Sequence, residues 1–262
     1  MTRFALFVDG SNLYGAIKAM NIDVKDYEKF YKYIYKESVE LWRSVTLQEP
    51  LDSVQLRRVY WYTVGTIDQW DLSLQKSKDS LRSAFSKDRG IHSFWLENIG
   101  RASSSLNPAE LEEKAWLACF DDFKLWYEEQ KRILEGMKGF YSMIRASTDL
   151  IDIIEKGHWK VNFLHKSVEE KGLDTTLAVD MLAFQENFDV GMIVSGDADA
   201  IPSIKHLKER NKYIAAVEFV NGSPPETKGR TFSLRLKAHA DFVLRIYETD
   251  LVKLKLEQRP IL

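Results

Sequence analysis

Cysteine is almost missing from this chain. Its 262 residues contain one, Cys119, which excludes an internal disulfide framework and any zinc site built on several thiolates. Histidine is sparse too. The five (His92, His158, His165, His206 and His239) are scattered with no HExxH-type spacing, so nothing in the pattern supports histidine ligation. An excess of one charge is also lacking: 37 Lys and Arg face 39 Asp and Glu, a net charge of −2. A protein held to nucleic acid by its overall field would be strongly basic, whereas transient binding needs only a local patch. No run of about 18 apolar residues occurs, so no transmembrane helix is expected. The apolar run in MTRFALFVDG is too short for a signal peptide. With neither repeats nor low-complexity tracts, the expectation is a cytoplasmic globular protein.

What the chain does have is short apolar runs separated by helical stretches. RFALFVD (3–9), LRRVYWYTVG (56–65), HWKVNFL (158–164), VGMIVSG (190–196) and KYIAAVEFV (212–220) read as five strands, rich in β-branched and aromatic residues. Helical periodicity follows the first in GSNLYGAIKAM and continues to about residue 45, with Tyr27, Phe30, Ile34, Val39 and Trp42 on one face. DTTLAVDMLAFQENF (174–188) and AIPSIKHLKERN (200–211) are further helices, the second with Pro202 in its first turn, where a missing N–H costs little. The segment after KYIAAVEFV and its polar loop reads as helical at first. The pattern is α/β: a parallel sheet of about five strands with helices on both faces. Residues 1–262 form a single domain, broken at about 66–157 by a mainly helical insertion with only weak strand signals in IHSFWLENI.

In such sheets ligands sit beyond the carboxyl ends of the strands. Asp9 ends the first strand; Asp197 and Asp199 follow the fourth; Asp174 opens the helix between the third and fourth. Singly, each has a structural explanation as a turn former, a helix cap or a first-turn carboxylate. Gathered at one edge they repel each other, and desolvation adds to the cost. FVDGSN and SGDAD contain no Lys or Arg to compensate, so a divalent cation is implied, and hard oxygen donors suit Mg²⁺ or Mn²⁺. One or two such ions activate water and neutralise charge on a phosphate. No protein nucleophile is indicated, since Cys119 lies in the insertion and no Ser-His-Asp order appears.

FVDGSNL, KGLDTTLAVDML and MIVSGDADAIPSIKHLKER, in that order, resemble the NYN domain family, specifically its LabA-like branch within the PIN-like nucleases. The resemblance covers residues 3–20, 57–64 and 158–220, with a fainter echo in LKAHADFVLRI; it leaves out about 66–157. It implies a PIN-like fold and metal-dependent hydrolysis of phosphodiester bonds, in RNA. It also implies that Asp9, Asp174, Asp197 and Asp199 are catalytic metal ligands and that Asn12 partners Asp9. Asp180 matches the aspartate six residues after Asp174. Ala200 stands where the family often has Phe, a difference of packing.

A haloacid-dehalogenase-type phosphatase would need a second aspartate at position 11, which is Ser; a toprim-like enzyme needs a glutamate near its first strand; a Rossmann site needs G-x-G-x-x-G. The remaining alternative is a NYN-fold module that binds RNA or a protein with little catalysis. Asn12, Asp180 and Ser195 are expected just behind the ligands. Ser11, Lys166, Lys171, Lys228 and Arg230 are the candidate substrate contacts, with Arg235 and Lys237 extending the basic patch. Trp116, Phe120, Phe123 and Tyr127 recur at helix-core spacing, which favours packing over base stacking. A cap over the crevice, or an interface with a second copy or a protein partner, is the expected role of the insertion.

Overall fold

RFALFVD forms β1 (Thr2–Asp9), and Phe4 to Val8 are buried, as a run without polar alternation requires when both strand faces are covered. The computed structural model describes residues 1–47, 53–102, 106–225 and 234–254. Its other strands are β2 (Val54–Ile67), β3 (Ile151–Asn162), β4 (Ser167–Lys171), β5 (Val190–Val194), β6 (Tyr213–Val220) and β7 (Phe242–Tyr247). They form one sheet in the order β4-β3-β2-β1-β5-β6-β7. β1 pairs in parallel with β2 and β5, and β6 continues in parallel between β5 and β7. The β3–β4 pair is an antiparallel hairpin.

The sheet thus has seven strands among the described residues, not about five. β4, SVEEK, has one apolar residue and an exposed edge position, so no hydrophobic signal announces it. β7 does alternate, burying Phe242, Leu244 and Ile246, but its six residues directly follow a helical pattern that masks the change of period.

The helices are α1 (Gly10–Ala19), α2 (Tyr27–Thr46), α3 (Gln75–Lys87), α4 (Arg89–Ala102), α5 (Pro108–Ser147), α6 (Leu173–Ala183), α7 (Ile201–Glu209), α8 (Leu234–His239) and α9 (Glu248–Lys253). IHSFWLENI, the weak strand candidate, lies inside α4. Among the described residues no helix is long and apolar enough to cross a membrane.

Contacts divide the chain into two compact units: Met1–Val64, Phe140–Gly157 and Gly172–Leu262; and Gly65–Gly139 with His158–Lys171. In the first, the Asp26 side chain accepts the Lys29 N–H at 2.8 Å and starts α2, whose Phe30, Tyr31, Ile34, Val39 and Trp42 turn inward at helical spacing. In the second, Trp116, Phe120, Phe123 and Tyr127 are all buried, so the aromatic stripe of α5 is core. Phe123 and Tyr127 pack on Phe163, and the Tyr127 hydroxyl donates to Asp68 O at 2.7 Å. Cys119 is buried here as well; burial and then the Asp122 charge push its thiol up to about 12, far from a reactive thiolate.

Candidate metal centre

β1 has β2 on one side and β5 on the other, so the strand order reverses at β1, the kind of switch point beyond whose carboxyl ends α/β sheets form a ligand crevice. Val8 pairs with Val194, the last residue of β5. Asp9 and Ser195 therefore leave adjacent strands side by side. The turn into α1 is tight: a Cβ on Gly10 would lie 2.5 Å from Trp61 Nε1 and 2.7 Å from Tyr62 O, so the DG pair lets the chain turn hard against β2.

Asp9 is buried and fully engaged by the start of α1. Its Oδ1 accepts the N–H groups of Ser11 (3.0 Å) and Asn12 (3.1 Å) and the Ser11 hydroxyl (2.8 Å); Oδ2 accepts the Asn12 side-chain amide. Three donors on Oδ1 and one on Oδ2 hold it as the N-cap of α1. Ser11 and Asn12, expected as a substrate contact and a partner of Asp9, both spend their side chains on this carboxylate.

α6 begins after Gly172, whose φ of +84° is one that glycine adopts without strain. Leu173, Leu177 and Met181 bury one side of α6 and leave Asp174, in the first turn, partly exposed. Asp197 and Asp199 lie in the loop between β5 and α7, where the Ser195 hydroxyl accepts the Asp197 N–H at 3.1 Å. Carboxylate oxygens of Asp174, Asp197 and Asp199 all come within 4.8 Å of one another, Asp174 half-buried and the other two exposed. Burial, then the charges of Asp9, Asp197 and Asp199, raise the Asp174 pKa from its ordinary value. Asp9 is thus close enough to be felt, although it is not one of the three. Among the described residues no Lys or Arg forms an ion pair with any of these four acids, while Asp189 in the same unit is paired with Arg3 at 2.9 Å. Three converging hard oxygen donors without a compensating cation fit Mg²⁺ or Mn²⁺, and the exposure of two of them leaves room for water ligands.

The other candidates are placed elsewhere. Asp180, six residues on from Asp174, points to a different side of α6 and lines a cavity of about 500 Å³ with Arg58, Tyr60, Arg145 and Phe184. Burial, then the Asp180 charge, raise the Tyr62 pKa. Lys166 and Lys171 belong to the second unit, where they pair with Asp122 and Glu169. Lys237 pairs with the buried Glu218. Lys228 and Arg230 lie outside the described residues.

Residues 134–238 match the NYN domain family. The match spans β3 to β6 and holds Asp174, Asp180, Ser195, Asp197 and Asp199, but not Asp9, Ser11 or Asn12; it supports the NYN family and a nuclease-like fold for that stretch. A solved structure of a protein of unknown function from Vibrio parahaemolyticus RIMD 2210633 is similar over 94% of this chain and 93% of its own, with 14% identity and a TM-score of 0.45. No curated protein matches the sequence.

Proposed function

We propose that this protein is a Mg²⁺- or Mn²⁺-dependent nuclease that hydrolyses phosphodiester bonds in RNA, a LabA-like member of the NYN family within the PIN-like nucleases. The observation that carries the reading is the convergence of Asp174, Asp197 and Asp199 at the strand-end crevice with no basic partner. Their mutual repulsion destabilises the folded chain, and a purely structural site would relieve it with Lys or Arg, as Asp189 does with Arg3. The NYN resemblance of residues 134–238 is what supports RNA as the substrate.

Roles follow from the geometry. Asp174, Asp197 and Asp199 hold the cation. When bound, it supplies a water of lowered pKa and neutralises charge on the scissile phosphate. Asp9, pinned by Ser11 and Asn12, sits behind the three and adds to the repulsion felt by Asp174. Ser195 fixes the Asp197 backbone. Asp199, exposed on the loop that precedes α7, has a second carboxylate oxygen that would orient the attacking water.

The test is cleavage of end-labelled single-stranded RNA and DNA with Mn²⁺, Mg²⁺ or EDTA, beside Asp197→Asn/Asp199→Asn, whose two positions are exposed and leave the core untouched. Metal-dependent RNA cleavage lost in the double variant is expected. Absence of cleavage in every metal, with RNA still bound, would move the assignment to a binding module.

A further inference from the structure

Past the acidic crevice, α1 presents a narrow outer face. Leu13, Ala16 and Ile17 are buried, while Ser11, Tyr14 and Lys18 are exposed at spacings of three and four, which places them in one line along the helix. Ser11 belongs to the shell around Asp9, so the line starts at the crevice. Tyr14 is 57% exposed and, among the described residues, packs on no other aromatic ring, whereas Tyr27, Tyr31 and Tyr62 of the same unit sit in aromatic clusters or the core. The Lys18 ammonium lies 6.0 Å from the Tyr14 ring centroid. It makes no ion pair among the described residues, whereas Lys25, Lys32 and Lys36 of the same unit each pair with an acid.

We infer that Tyr14 and Lys18 form the single-strand track of the site: the Tyr14 ring stacks a base beside the scissile phosphate, and Lys18 holds a phosphate further along the strand. The inference rests on the nuclease reading above and adds the form of substrate. The dimensions suit it. At a rise of about 1.5 Å per residue, Tyr14 stands roughly 7 Å along the axis from Asp9 and Lys18 about 6 Å beyond, so a ring and then a cation follow one another outward from the carboxylates. An exposed ring can take the face of any base, provided that the base is unstacked from its neighbours. An unpaired ammonium beside it complements the phosphate charge and stiffens the stack through its contact with the ring. A duplex, whose bases are stacked and paired, cannot offer a free face, so the track selects single strands without reading sequence.

Binding of a fluorescein-labelled 12-nucleotide RNA to the full chain, measured by anisotropy in EDTA so that no cleavage occurs, tests the track apart from the chemistry. Tyr14→Ala is expected to weaken binding about tenfold or more, the scale of one lost base stack. Tyr14→Trp should restore it, which a role confined to helix packing would not allow. Lys18→Gln should make the dependence of log Kd on log salt shallower by about 0.7, the loss of one phosphate contact on a single strand. A blunt duplex should bind more weakly than the single strand, with no response to Tyr14→Ala. Unchanged single-strand affinity in Tyr14→Ala would overturn the track while leaving any metal-dependent cleavage in place. Affinity lost in Tyr14→Ala from a protein that cleaves nothing in any metal would uphold the track and remove the catalytic reading. A wild-type protein that binds no RNA would end both.

Discussion

Asp174 and Asp68 are both partly buried carboxylates, one in each compact unit, and their environments move them in opposite directions. Partial burial pushes Asp68 up, but the Val161 N–H at 2.9 Å and the His158 ring at 2.7 Å more than offset this, and its pKa is lowered. Asp174 has burial and three like charges, and its pKa is raised. The contrast extends to neighbours. In the second unit Asp122 pairs with Lys166, Glu112 with His92 and Glu113 with Arg82. An acid that serves the fold is given a partner; acids left to repel one another are the arrangement that a bound cation would stabilise.

The largest effect expected from breaking this contrast is on turnover. Asp174→Asn keeps the size and removes one of three converging charges, so metal-dependent cleavage should fall by about 100-fold or more, at least the cost of disturbing a ligand's surroundings. The same change removes repulsion, so the metal-free variant should melt at a higher temperature than wild type. Asp68→Asn should do neither. If Asp174→Asn lowered the melting temperature of the metal-free protein, the picture of an uncompensated cluster would be wrong.

Metal addition sharpens the comparison from the other side. A cation bound to the folded protein alone stabilises it by about 2.7 kcal/mol at a hundred times its Kd. Wild type should therefore gain thermal stability with Mn²⁺, and Asp197→Asn/Asp199→Asn should not. Calorimetric melting with and without EDTA reads this directly. In the second unit, Asp68→Ala should cost about 1 kcal/mol in urea, since His158 and the Val161 N–H lose their acceptor and water partly replaces it. The metal response should survive that change.

Much of the site was legible because it is local. FVDGSN and SGDAD end strands whose apolar runs are unmistakable, and a short apolar strand followed by Asp-Gly carries its own turn chemistry. Asp174 was readable from its place at a helix start. What could not be read was direction. Nothing in the spacing said that both oxygens of Asp9 would be occupied by Ser11 and Asn12, leaving Asp174, Asp197 and Asp199 as the tight group. Six residues on a helix, about 240° past a full turn, take Asp180 away from Asp174, a rotation visible in the sequence once the helix start is fixed at Leu173. The partners of the basic candidates were illegible for another reason: whether a lysine is spare depends on acids distant in sequence, and Lys166 finds Asp122 forty-four positions back. In the same way Lys18, which the sequence did not single out, stands out only because its neighbours are paired.

The smallest effect, and the one that sets the two acids against each other most directly, is on pH dependence. Asp68 has a folded pKa below its unfolded value, so its stabilisation is present above about pH 4 and is lost as pH falls through the folded value. Asp174 has a folded pKa above its unfolded value; its contribution is fully present below about pH 4 and is lost as pH rises through the raised value. In EDTA, the stability advantage of Asp174→Asn over wild type should therefore grow as pH rises above about 4 and level off once pH has passed the raised value. Asp68→Asn should instead carry a disadvantage that is constant above about pH 4 and shrinks below it, as the wild-type carboxylate is protonated. Urea midpoints across that range give both curves. Parallel curves would mean that the two acids share one kind of environment, and that the crevice has a partner for its charge after all.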